Sequence, residues 1–102
     1  MSAVDRNGVL AGKVAVITGA SRGIGDALAR RYAMEGARVV VSARTVEGGG
    51  HYLPGSINET VADILAAGGE AIAVKADLAL GEDRQRLVDA AMEAYGAVDI
   101  LV

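Results

Sequence analysis

The chain has 102 residues, 52% of them hydrophobic, with ten basic against thirteen acidic side chains for a net charge of -3 and no cysteine. That length suits one small domain rather than two, and the scattered Lys and Arg make no basic run for nucleic acid or a membrane surface. Without cysteine there is no disulfide framework, thiolate metal site or Cys nucleophile, and the one histidine, His51, cannot build a metal site alone.

Residues 1–12 carry Asp5 and Arg6 and lack the long apolar run of a signal peptide. Charges or glycines interrupt every later apolar segment, so no membrane span is expected and a cytoplasmic location is. Residues 13–18 are a short apolar run between Gly12 and Gly19, the pattern of a strand buried on both faces of a parallel sheet. Residues 24–35 set Ile24, Ala27, Leu28 and Tyr32 at helical spacing, and Gly36 suits the left-handed position that ends a helix. Residues 38–42, β-branched at their centre, predict a second strand. Residues 45–55, with Gly48-Gly49-Gly50 and Pro54-Gly55, predict a loop that carries His51 and Tyr52.

Ser56-Ile57-Asn58-Glu59 has the form of a capping box and opens a helix over 56–67, with Ile57, Val61, Ile64 and Leu65 on one face. Residues 71–75 predict a third strand. A helix over 83–95 follows, with Leu87, Val88, Ala91 and Tyr95 inward, and a fourth strand over 98–102. The β-α-β-α-β-α-β alternation with right-handed crossovers predicts an α/β fold, the N-terminal half of a Rossmann-type doubly wound parallel sheet with strand order 3-2-1-4. No helix follows the last apolar strand to cover it. Residues 1–102 are therefore expected to be the N-terminal part of one dinucleotide-binding domain, truncated after the fourth strand. The alternative is a complete small domain that another chain covers.

The first strand runs into Thr18-Gly19-Ala20-Ser21-Arg22-Gly23-Ile24-Gly25. Glycines at such a turn let a diphosphate approach the backbone, and a helix beginning near Gly23 points N–H groups and its positive dipole end at the anion. The spacing is G-x-x-x-G-x-G rather than G-x-G-x-x-G, but it lies between strand and helix, as such a motif requires. A phosphate loop of the ATPase kind is excluded because no G-K-[ST] follows. A tight turn without a ligand is the alternative.

With the rest of the chain, residues 18–25 resemble the short-chain dehydrogenase/reductase family, for which T-G-x-x-x-G-x-G is among the most specific signatures. Asp77-Leu78 resembles the family's acidic position beside the adenine ring, and Asp99-Ile100-Leu101-Val102 the strand that leads to its N-N-A-G motif. The resemblance runs from about residue 10 to 102 and leaves out most of the loop 47–55. It implies that the Asp77 carboxylate accepts from the adenine amino group and that the Leu78 N–H meets a ring nitrogen. A cap or turn role fits Asp77 as well.

The resemblance also places an NAD-type ribose Asp at the position of Ala43, where it is absent. Arg44 follows instead, and Arg22 lies in the glycine turn. Two guanidinium groups beside an adenosine 2′-phosphate would hold it bidentately, with Ser21 and Ser42 as further donors. The expected cofactor is NADP rather than NAD, and Gly19, Ser21, Arg22, Gly23, Ile24, Gly25, Ser42, Arg44, Asp77 and Leu78 are the expected cofactor-binding residues. Solvated loop arginines are the alternative for Arg22 and Arg44. The loop 45–55 is longer than the family's usual link; it is either plain surface or a cover for the adenosine end.

The family's chemistry uses an Asn, a Ser and a Tyr-x-x-x-Lys pair. Here Tyr32, Tyr52 and Tyr95 are followed four residues on by Gly36, Ser56 and Asp99, and the lysines are Lys13 and Lys75. No catalytic residue and no metal ligand is assigned, and the 102-residue chain alone is expected to be inactive. The resemblance implies a full-length oxidoreductase acting on a small alcohol or carbonyl substrate, usually as a homo-oligomer, with no nucleic-acid or membrane partner. The competing reading is a non-catalytic nucleotide-binding or sensing module of the same fold. A flavodoxin-like domain is disfavoured by the three-glycine turn.

Overall fold

A computed structural model describes residues 4–5, 7–19, 23–43 and 57–102. The elements are β1 (Val14–Thr18), α1 (Gly23–Met34), β2 (Arg38–Ala43), α2 (Ile57–Ala66), β3 (Glu70–Lys75), α3 (Gly81–Tyr95) and β4 (Ile100–Leu101). The strands form one parallel sheet in the order β3-β2-β1-β4. This is the expected Rossmann-type arrangement. Strands β1 and β2 lie inside it, which is why both read as continuous apolar runs.

Side chains alternate between the faces of the sheet. Ala15, Ile17, Val39, Val41 and Ala43 pack with Ala29, Ala33, Ile57 and Ile64 under α1 and α2. Val16 and Val40 pack on the other face with Leu87 and Ala91 of α3. Register aligns Val16 with Val40 and Thr18 with Ser42, so the ends of β1 and β2 lie side by side.

Three helix-face expectations need correction. The sheet-facing side of α1 is Ala29 and Ala33, while Ile24 is 80% exposed and Ala27 is also exposed. Small side chains let this helix sit close to the sheet, so the larger apolar residues fall on its flanks. Leu65 in α2 and Val88 in α3 are exposed rather than inward. Each sits next to a buried residue, Ile64 and Leu87 respectively, and one residue of helix turns the side chain about 100° away from the sheet. Helix α3 also begins at Gly81, two residues before the expected start, and ends at Gly96, whose N–H donates to Met92 O at 2.8 Å.

Candidate cofactor site

Thr18 ends β1 and is fastened twice. Its N–H and its Oγ1–H both donate to Val102 O, at 2.9 and 2.7 Å. Gly19 follows at φ 62°, and Gly23, at φ 69°, opens α1. An L-residue pays about 1–2 kcal/mol in that region, so both positions call for glycine. No atom of the described residues lies within 4 Å of where a Cβ would stand at either one. The described residues thus leave free the space that a side chain at Gly19 or Gly23 would fill. Ile24 and Gly25 follow in the first turn of α1.

An acid in that first turn, Asp26, would help a bare helix but repel a bound anion. Its charge is occupied locally. Asp26 Oδ1 accepts from Arg30 Nε at 3.0 Å and from the buried Thr60 Oγ1 at 2.6 Å, and Arg30 Nη1 reaches Asp63 Oδ2 at 2.5 Å. Burial works against the Arg30 charge, and the hydrogen bonds to Asp63 and Asp26 more than offset it, holding the guanidinium above its ordinary pKa. The network ties α1 to α2 just below the glycine turn.

At the end of β2, Ser42 is 1% exposed and its Oγ has no hydrogen-bond partner among the described residues. Ala43, 8% exposed, packs on the opposite face. The Ala76 N–H donates to Ala43 O at 3.1 Å, which sets the segment after β3 beside the end of β2. There Asp77 forms a turn: its Oδ1 accepts from the Ala79 N–H at 3.0 Å and its carbonyl from the Leu80 N–H at 2.9 Å. The turn role that fits Asp77 from sequence is therefore observed, and it uses one carboxylate oxygen. Leu78 is exposed beside it.

The structure brings Gly19, Gly23, Ile24, Gly25, Ser42, Asp77 and Leu78 to the C-terminal end of the sheet, where open parallel sheets take ligands. Ser21, Arg22 and Arg44 lie outside the described residues, as do the Ser56 cap and the loop 45–55. Sequence reasoning missed Asp83, whose Oδ2 accepts the Asp77 N–H at 2.8 Å. Its only signal was an acid six residues on, which reads as an ordinary first-turn helix acid. Among the described residues no group of three His, Cys, Asp or Glu gathers to hold a metal, and no helix is long and apolar enough to cross a membrane. The open glycines, the orphaned Ser42 hydroxyl and the half-used Asp77 carboxylate fit a dinucleotide.

A sequence profile described as short chain dehydrogenase matches residues 13–102. The 3β-hydroxysteroid dehydrogenase 1 of Eggerthella lenta is 46% identical over 93 residues, covering 91% of this chain and 33% of that protein. A crystal structure of a metagenomic short-chain oxidoreductase in complex with NADP superposes with a TM-score of 0.75 at 40% identity, over 88% of this chain and 37% of that one. A 7α-hydroxysteroid dehydrogenase complexed with NADH and 7-oxo glycochenodeoxycholic acid gives 0.80 at 38% identity, over 90% and 33%. The chain spans about a third of the length of these relatives.

Proposed function

The chain belongs to the short-chain dehydrogenase family, and on that premise we propose that the whole protein is an NADP-dependent oxidoreductase of a small alcohol or carbonyl substrate, for which this chain supplies the cofactor site. The glycine turn, open at Gly19 and Gly23, is the observation that supports dinucleotide binding. In this reading Gly19, Gly23, Gly25 and the Ile24 backbone face the diphosphate. Arg22 and Arg44 take the 2′-phosphate, Ser21 and Ser42 add hydrogen bonds, and Asp77 and Leu78 hold the adenine. Bound, the nicotinamide would give or take the hydride. A cytoplasmic homo-oligomer belongs to the same proposal.

Solved relatives carry either NADH or NADP, so the choice of NADP rests on this chain's own residues. Ala43 supplies no carboxylate at the end of β2, where an NAD-type site needs an acceptor for the ribose hydroxyls. The test is the ratio of the two dissociation constants in wild type, Arg44→Ala and Ala43→Asp. Hydrogen bonds to a charged group are worth about 1.5–3 kcal/mol, so Arg44→Ala should weaken NADP by roughly tenfold to a hundredfold and leave NAD nearly unchanged. Ala43→Asp should reverse the ratio, because it repels the phosphate and offers the ribose an acceptor. A wild type that prefers NAD, or an unmoved ratio in Ala43→Asp, removes Ala43 and Arg44 from the site.

A further inference from the structure

We propose that Asp83, in the first turn of α3, is a positioning residue for adenine recognition, which locks the turn after β3 so that Asp77 and Leu78 present an acceptor and a donor side by side. The inference rests on the dinucleotide reading of this end of the sheet. Its basis is the hydrogen bonding of the turn itself. The Asp77 N–H donates to Asp83 Oδ2 at 2.8 Å, the Ala79 N–H to Asp77 Oδ1 at 3.0 Å and the Leu80 N–H to Asp77 O at 2.9 Å. Of the four consecutive N–H groups, only that of Leu78 has no partner among the described residues. On the acceptor side, Arg84 Nη1 donates to Leu78 O at 2.5 Å, and Arg86 Nη2 donates to Lys75 O. The turn's other N–H groups and the Asp77 and Leu78 carbonyls are thus tied down, leaving the Leu78 N–H and Asp77 Oδ2 side by side without a partner among the described residues.

A free donor and a free acceptor on consecutive residues match the adenine edge, which offers an amino group next to an acceptor ring nitrogen. Hypoxanthine has a carbonyl in place of the amino group and a hydrogen on the adjacent ring nitrogen N1, so the Asp77 carboxylate would meet an acceptor and the Leu78 N–H a donor. Asp83 suits the positioning role because its side chain is only 17% exposed and Arg86 Nη2 stands 3.5 Å from its Oδ1. Its bond to Asp77 is therefore shielded from water and held from behind. Without it, the Asp77 peptide is free to rotate, and the carboxylate and the Leu78 N–H no longer keep a common orientation.

The experiment compares the whole protein's dissociation constants for nicotinamide adenine dinucleotide and nicotinamide hypoxanthine dinucleotide. The wild type should prefer adenine by about tenfold, Asp83→Ala should lose most of that preference, and Asp83→Asn, which keeps an acceptor oxygen, should restore it. A residue that only stabilises α3 would lower the melting temperature and leave the ratio alone. Asp77→Ala separates the two claims. Preference lost in Asp77→Ala but kept in Asp83→Ala overturns the positioning role; preference kept in both overturns the adenine site. Amide exchange in the wild type needs no variant: the Asp77 N–H should be protected without ligand, and the Leu78 N–H should become protected when ADP is added. An Asp77 N–H that exchanges freely overturns the proposal even where Asp83→Ala does not fold.

Discussion

Two glycines of this chain have nearly the same backbone and nearly the same free space, but should respond differently to one added methyl group. Gly23 opens α1 at φ 69°, and Gly96 closes α3 at φ 76°; no atom of the described residues lies within 4 Å of a Cβ built on either. Alanine at each therefore carries backbone strain of about 1–2 kcal/mol and no collision with the described residues. In a domain of this size that lowers the melting temperature by roughly 4–16 °C, since 1 kcal/mol corresponds to about 4–8 °C. The helices run back against the strands, so Gly96 lies at the end of the sheet opposite the glycine turn. Gly96→Ala should cost stability and leave cofactor affinity within about twofold. Gly23→Ala should cost the same stability and weaken the cofactor by at least tenfold, about 1.4 kcal/mol, because the methyl group stands where the diphosphate approaches. Thermal melts and fluorescence titration of the cofactor read the two quantities separately. Equal melting losses with unchanged affinity in both variants would reduce Gly19–Gly23 to a tight turn and refute the ligand reading.

Thr60 is fully buried and donates to Asp26 at 2.6 Å, so Thr60→Val, which keeps the shape, should destabilise by about 1.5–3 kcal/mol in urea melts. A loss below about 0.5 kcal/mol would show that the α1–α2 network carries no net stability. Tyr95 supplies a pH test: burial, then the nearby Glu70 carboxylate, push its phenol above the ordinary 10.0, against the opposing pull of Arg38. A group whose folded value is raised contributes stability that is complete below its unfolded value and lost as pH climbs through the folded one. Stability should therefore fall from about pH 10 upward, and Tyr95→Phe should flatten part of that fall while keeping the ring beneath the Arg38 guanidinium, 5.9 Å away. Identical alkaline slopes in the two proteins would remove Tyr95 as a contributor.

The topology was legible because each strand is a short apolar run bounded by glycine or charge, and buried parallel strands leave that pattern more plainly than any other element. The glycine turn was legible for the same reason, since its sequence sits where a strand must become a helix. The buried face of α1 was not. Periodicity weighs large apolar residues, and this helix meets the sheet through Ala29 and Ala33, the side chains that such counting ranks lowest. Periodicity starts α3 at Asp83, two residues late. In the structure the Asp83 carboxylate turns back to the Asp77 N–H, and Leu80 begins the helix without a side-chain cap. Asp99 enters the sequence argument only as part of a strand motif, whereas its Oδ2 accepts the Val14 N–H at 2.9 Å and helps set the β1–β4 register. Contacts 85 residues apart leave no mark on local pattern.

The two ends of the sheet treat their backbone groups in opposite ways, and that difference bears on where a ligand binds. At the end where α1 and α2 finish, the carbonyls Met34 O, Glu35 O and Ala67 O are taken by the N–H groups of Asp5, Leu10 and Val4, at 2.8–3.0 Å. The approach there is close: a Cβ on Gly8 would come within 2.5 Å of Glu35 O. The chain's own N-terminal segment thus takes these three carbonyls and packs against that end. At the opposite end the Leu78 N–H and the Ser42 hydroxyl have no partner among the described residues, and no described atom lies within 4 Å of a Cβ built on Gly19 or Gly23. Buried or half-buried polar groups are rarely left unpaired in a folded protein unless something else pairs them. The Leu78 N–H and the buried Ser42 hydroxyl, unpaired among the described residues, are donors that a partner with acceptor atoms would satisfy, as the proposed cofactor would. A dinucleotide, with its phosphates, ribose oxygens and ring nitrogens, is such a partner.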